Sequence, residues 1–72
     1  MSERLVALTQ EQKPVAELVG QDGNVFVLIA ICRKALKKAN LDNYSKEMQN
    51  RIFSSKSYDE ALQIMMDYVE VT

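Results

Sequence analysis

The sequence predicts a small α+β fold in which a short N-terminal strand or hairpin is followed by three helices. Three observations support this class. A β-prone run precedes a glycine-containing turn, apolar residues after that turn recur at helical spacing, and two further helical patterns follow it. We expect residues 1–72 to form a single small domain. A core built from 72 residues is marginal, so association with another copy would add stability.

Strand propensity is found at both ends of the chain. Residues 4–8 and 15–19 are short β-prone runs, and Pro14 suits the first residue of an edge strand because it has no N–H for a ladder hydrogen bond. We expect the second run to form a strand. The first run either pairs with it as a hairpin or stays a loose arm. Residues 69–72, Val-Glu-Val-Thr, have the composition of a short terminal strand.

The first helix is predicted to begin at the N-cap residue Asn24 and to run to about Ala39, with Asn40 as a left-handed stop. One face of this helix is continuously apolar. The opposite face is apolar only in its first two turns, through Phe26, Val27, Ala30 and Ile31. It then becomes basic, through Arg33, Lys34, Lys37 and Lys38. A helix that is apolar all round is normally buried all round, so we expect a homo-oligomer interface at Phe26, Val27, Ala30 and Ile31, or cover by the N-terminal segment.

Two shorter helices complete the predicted fold. The second spans about Asn43 to Phe53, with Tyr44, Met48 and Ile52 on its inward side. The third begins after Ser57, which has the spacing to Glu60 of a reciprocal capping box. Its apolar stripe is expected to continue through Tyr68 and Val69.

Composition removes several function classes. The chain has no histidine and one cysteine, which excludes a Cys/His zinc site and a His-assisted nucleophile, so we expect no enzyme, no cofactor and no metal site. The net charge of −1 gives no long-range attraction to nucleic acid, so we do not expect nucleic acid as a partner. No apolar run is long enough to span a bilayer, and Met-Ser-Glu-Arg-Leu-Val-Ala-Leu does not read as a signal peptide. We therefore expect no membrane association and a location in the host-cell cytoplasm.

The turn before the first helix has two interpretations. Backbone N–H groups at a helix start favour an anion, so a phosphate-bearing ligand would be held by the turn residues together with nearby cations. These candidate ligand-binding residues are Gly20, Asp22, Gly23, Asn24, Arg33, Lys34 and Lys37. The alternative is an Asp-Gly turn with an Asn cap that only reverses the chain.

Three short motifs carry a resemblance to a known group of proteins. They are Asp-Gly-Asn-Val-Phe at residues 22–26, Ala-Leu-Lys-Lys-Ala-Asn at residues 35–40 and Ser-Tyr-Asp-Glu at residues 57–60. Across residues 15–71 the chain resembles small hypothetical proteins carried by bacteriophages and mobile elements of Gram-positive bacteria. In that group a glycine is expected where this chain has Asn40. The resemblance implies a genomic setting rather than a reaction.

That setting gives the leading functional hypothesis. It is a non-enzymatic phage accessory protein that acts by stoichiometric binding as a host-defence antagonist and sequesters an anionic nucleotide signal. One alternative is a protein-binding inhibitor of a host effector. The other is a DNA-binding regulator that uses the basic stripe of the first helix.

Overall fold

The computed structural model describes residues 7–21 and 23–72. One strand precedes three helices and a second strand follows them, which confirms the predicted α+β class. The elements are β1 (Val15–Ala16), α1 (Val25–Lys38), α2 (Asp42–Phe53), α3 (Tyr58–Met66) and β2 (Glu70–Val71).

The two strands form a parallel pair that joins the two ends of the described chain. Val15 is opposite Glu70, and Ala16 is opposite Val71. The Glu70 N–H donates to the Pro14 carbonyl at 2.9 Å. Parallel strands need a long crossover, which the three helices supply. The strand predicted over residues 15–19 is formed at its first two residues, Val15–Ala16, and the expected terminal strand is formed at Glu70–Val71.

The hairpin alternative is not formed by the described residues. Residues 7–8, the described part of the first β-prone run, are not in a strand, and residues 4–6 lie outside the described part of the chain. β1 takes its partner from the C-terminal segment instead, where the Thr72 N–H donates to the Ala16 carbonyl at 3.0 Å.

Local signals define both ends of α1 as predicted. The Asn24 Oδ1 accepts a hydrogen bond from the Phe26 N–H at 2.9 Å, which is an N-cap. Asn40 has a φ of 62°, the left-handed conformation that ends many helices. Between them, Leu28, Ile29, Cys32 and Leu36 are buried.

α3 is shorter than predicted, because its apolar periodicity continues beyond the helix. The helix ends at Met66, and Tyr68 and Val69 reach the core from the turn that follows. The predicted capping box is only half formed. Ser57 Oγ accepts from the Glu60 N–H at 3.1 Å, whereas the Glu60 carboxylate accepts from the Lys56 N–H at 3.4 Å rather than from Ser57.

The core lies between the three helices and the strand pair. Leu36, Met48, Met65 and Val69 are at most 1% exposed, and they represent α1, α2, α3 and the segment before β2. Within residues 7–21 and 23–72, no helix has both the length and the apolar character that crossing a membrane requires.

Candidate functional site

The start of α1, the end of α2 and the start of α3 meet at one end of the molecule and form an open groove of about 320 Å³. Its floor consists of the buried residues Ile29, Ile52 and Ala61. Its rim carries three aromatic side chains, Phe26, Phe53 and Tyr58. We call this surface the aromatic groove.

The rim residues are much more exposed than large apolar side chains in a core. Phe26 is 67% exposed, Phe53 is 61% exposed and Tyr58 is 45% exposed. Each belongs to a different helix, and each lies within two residues of a helix end. Contiguous exposed apolar surface of this kind is typical of sites that contact another molecule.

Two serines line the groove, and one glycine lies close to its tyrosine. Ser55 and Ser57, which line it, belong to the segment that joins α2 to α3. Gly23, just before α1, lies against the third helix, since a Cβ at this position would be 3.7 Å from the Tyr58 Oη. The first and third motifs of the sequence resemblance therefore meet at this surface.

The predicted oligomer interface is divided by the fold. Phe26 and Val27 are 67% and 37% exposed, and Ala30 is exposed as well. Ile31 is half-buried and packs against the core. The side of α1 that bears Ile31 faces Val15 and Ala16 of β1.

Several backbone N–H groups at the predicted anion-binding turn already donate hydrogen bonds within the turn and the helix start. Asn24 Oδ1 accepts from the Phe26 N–H, and the Asn24 carbonyl accepts from Val27 and Leu28 at 3.0 and 3.2 Å. Gly20 adopts a φ of 85°, which glycine accommodates without strain. Asp22 lies outside the described residues. These bonds are those of a capped helix start and leave few N–H groups for an anion.

The predicted basic residues differ in their position relative to that turn. Arg33 is about 13 Å from Asn24 along the helix axis, at 1.5 Å per residue. Its Nε donates to the buried Ser45 Oγ on α2 at 3.2 Å. Lys34 lies beside β1, and Lys37 is exposed in the last turn of α1. The fold therefore brings Lys34 and Gln21 of the turn to one surface pocket beside β1, whereas Arg33 is bonded to α2.

A polar cluster fastens α2 to the segment after α3. The buried Tyr68 Oη donates to Glu47 Oε1 at 2.6 Å and accepts from Arg51 Nη1 at 3.1 Å. Arg51 Nη2 also pairs with Asp67 Oδ2 at 3.2 Å. Burial is the main cause that raises the pKa of Tyr68, and its hydrogen bond to Glu47 raises this pKa further. The pKa of Arg51 is raised mainly by its hydrogen bond to Tyr68. The contacts within this cluster indicate a structural role.

Cys32 is part of the core rather than of a reactive site. Its side chain is fully buried in α1. Burial raises the pKa of its thiol to about 11, which keeps it protonated near neutral pH.

No family model matches this chain, and searches of curated proteins and of solved structures gave no match either. The candidate site therefore depends on its own geometry. Sequence reasoning missed Phe53 and Tyr58 as surface residues. For Phe53 a signal was present, because it falls outside the Tyr44, Met48 and Ile52 stripe of its helix.

Proposed function

We propose that this chain is a small non-enzymatic protein that acts by stoichiometric binding of a protein partner through the aromatic groove. The observation that carries this proposal is the exposure of Phe26, Phe53 and Tyr58 around one apolar floor. Aromatic anchors beside an apolar pocket supply much of the binding energy at protein interfaces. Tyr58 adds a hydroxyl that remains able to bond a partner at the wet edge of such an interface.

The geometry favours a protein over an anionic nucleotide. The groove floor is apolar, and the N–H groups of Phe26, Val27 and Leu28 already have acceptors. A sequestered nucleotide would need cations beside the turn. Arg33 bonds Ser45 instead, and Lys34 and Lys38 share a pocket with Gln21 rather than with the capped start of α1. The basic stripe also offers little for DNA, because the net charge of −1 gives no long-range attraction to it.

The resemblance supplies the proposed biological setting. We propose a phage or mobile-element accessory protein that works in the host cytoplasm and blocks a host effector, as a defence antagonist would. Self-association through the exposed residues of α1 belongs to the same proposal, because Phe26, Val27 and Ala30 remain accessible on that helix.

Quantitative affinity capture tests the binding role. The wild-type chain, Phe53→Asp and Met66→Asp are immobilised at equal density and exposed to a Gram-positive host lysate. Met66 is 50% exposed at the far end of α3, about 12 Å from Tyr58 along the helix, so it is a matched control outside the groove. Circular dichroism establishes that all three are folded.

We expect one host protein to be retained in near-equimolar amount by the wild type and by Met66→Asp, and to be lost with Phe53→Asp. Equal retention by all three variants would contradict binding through the groove. A panel of cyclic nucleotides provides the second arm, read by thermal shift. A shift with any nucleotide that survives Phe53→Asp would favour the nucleotide-sequestering hypothesis instead.

A further inference from the structure

We propose that an extended acidic peptide of another protein binds as an added strand at the open edge of β1, in the groove between β1 and α1. This surface, the β1 groove, is defined by residues 15–17 and by Ile31, Lys34, Ala35 and Lys38. It shares no residue with the aromatic groove, so this inference goes beyond the proposed function.

The backbone around β1 is paired along one edge. The Pro14 carbonyl accepts from the Glu70 N–H at 2.9 Å. The Ala16 carbonyl accepts from the Thr72 N–H at 3.0 Å, and the Leu18 N–H donates to the Thr72 carbonyl at 2.8 Å. Every second residue from 14 to 18 therefore bonds the C-terminal segment, and the paired backbone is longer than the two residues of β1.

The intervening residues, Val15 and Glu17, turn their backbone groups to the opposite edge. Consecutive residues of an extended strand present their N–H and C=O groups to alternate edges. Within residues 7–21 and 23–72, no backbone partner bonds Val15 or Glu17 across that edge. Val15 is 56% exposed, and Glu17 is exposed as well. An accessible edge with unpaired backbone groups is a template for a further strand.

The open edge borders a groove of about 360 Å³. Residues 15–17 line one side of this groove, and residues 31–38 of α1 contribute the other side. No residue of β2 lines it, so it lies on the side of β1 that β2 leaves open. A strand placed here would bond β1 through its backbone and contact α1 through its side chains.

The β1 groove has an apolar floor and a cationic rim. Ala16 is 2% exposed, and Ile31 and Ala35 are half-buried. Lys34 and Lys38 are exposed. Successive side chains of a strand point to opposite faces, so a strand of alternating apolar and acidic residues can present one kind to the floor and the other to the rim.

Charge and spacing at the rim specify the acidic residues. Neither Lys34 nor Lys38 belongs to an ion pair among residues 7–21 and 23–72, and Glu17 is the acidic residue that lines the groove with them. The lysines are four residues apart, about 6 Å along the helix axis. Acidic residues at alternate positions of a strand are about 6.6–6.8 Å apart, which matches this spacing.

The closed edge of β1 already pairs with a strand of this composition. Residues 69–72 are Val-Glu-Val-Thr, in which Val69 is 1% exposed and Glu70 is exposed. The same alternation therefore defines the probe for the open edge. The edge is short, so we expect binding in the high micromolar range that weakens as salt is added.

Nuclear magnetic resonance titration of the isotope-labelled full chain tests the inference. The probe is the synthetic peptide acetyl-Thr-Val-Glu-Val-Glu-Val-Thr-amide, and the control peptide has lysine in place of both glutamates. Val15→Pro removes an N–H that β2 does not use. Lys34→Glu combined with Lys38→Glu reverses the rim, and Lys37→Glu is the matched control on the same helix outside the groove. Circular dichroism melting establishes that each variant is folded.

We expect the acidic peptide, and not the lysine peptide, to shift the amide signals of residues 15–17 and to slow hydrogen exchange at the Val15 amide at least tenfold. Val15→Pro should abolish binding. The reversed rim should weaken binding of the acidic peptide roughly tenfold and accept the lysine peptide, whereas Lys37→Glu should bind like the wild type.

Three results would overturn the inference. They are a Val15 amide that is already protected from exchange in the chain alone, equal binding of the two peptides, and no binding of the acidic peptide. The first two need no substitution, so they do not depend on the folding of Val15→Pro. Phe53→Asp should bind the peptide normally, and this separates a failure of the β1 groove from a failure of the aromatic groove.

Discussion

Truncation of Phe53 to alanine should lower the free energy of unfolding far less than truncation of a core residue. A fully buried phenylalanine costs about 3–5 kcal/mol when replaced by alanine. Phe53 is 61% exposed, so about two-fifths of this contribution is at stake, or roughly 1–2 kcal/mol. Leu36 has 0% exposure, and Leu36→Ala should cost about 2–5 kcal/mol because it also leaves a cavity.

Urea unfolding followed by far-UV circular dichroism measures both values. All variants are measured at the same chain concentration, so that any self-association contributes equally to the apparent stabilities that are compared. Met66→Ala, at 50% exposure on α3, is the matched surface control. A loss from Phe53→Ala as large as that from Leu36→Ala would show that this side chain serves the core, and the reasoning that assigns it to binding would be refuted.

Three further predictions concern the fold. Asn40→Gly should stabilise the chain by about 0.5–1 kcal/mol in urea unfolding, because glycine adopts the φ of 62° at no steric cost, and loss of stability would contradict this. Tyr68→Phe should cost about 1–3 kcal/mol by removing the hydroxyl shared by Glu47 and Arg51, and an unchanged melting temperature would contradict the cluster's role. The folded-state pKa of Cys32, about 11, exceeds the ordinary 9.0, because folding favours the protonated thiol. Its contribution to the free energy of unfolding is therefore complete below pH 9 and is lost as the pH rises through 11. Cys32→Ala should reduce the decrease in the free energy of unfolding at alkaline pH by roughly 2–3 kcal/mol, and a pH profile identical to that of the wild type would contradict this.

The elements that local chemistry specifies could be predicted from sequence. Asn24 and Asn40 mark the ends of α1 through a side-chain cap and a left-handed backbone, and both are properties of the residue itself. The β1–β2 pairing could not be derived in this way. It depends on which distant segment reaches Pro14, and the chain's propensities allowed a local hairpin equally well.

The end of α3 shows a second limit. Tyr68 and Val69 continue the apolar spacing of the helix, yet they enter the core from a turn. The apolar spacing reflects which residues are buried, and residues can be buried at that spacing without being in a helix. The signal in the sequence is the same in both cases, so only the tertiary arrangement distinguishes them.

The candidate site was predictable only in part. Phe26 is accessible because the first two turns of α1 have apolar residues on every side, more than a single core can bury. The aromatic groove also needs Phe53 and Tyr58, which become neighbours only when three helix ends meet. The sequence around Gly23 has a pattern that suits an anion, but the N–H groups of Phe26, Val27 and Leu28 donate to Asn24 within the helix start.

Site-specific photo-cross-linking tests the central claim, that the aromatic groove binds another protein. A photoreactive phenylalanine analogue is placed at Phe53 or, as the control, at Met66, and host cells that express each form are irradiated. The account predicts an adduct from position 53 that is heavier than two copies of the 8.2 kDa chain and is absent from position 66. No adduct from position 53, or the same adduct from both positions, would contradict it.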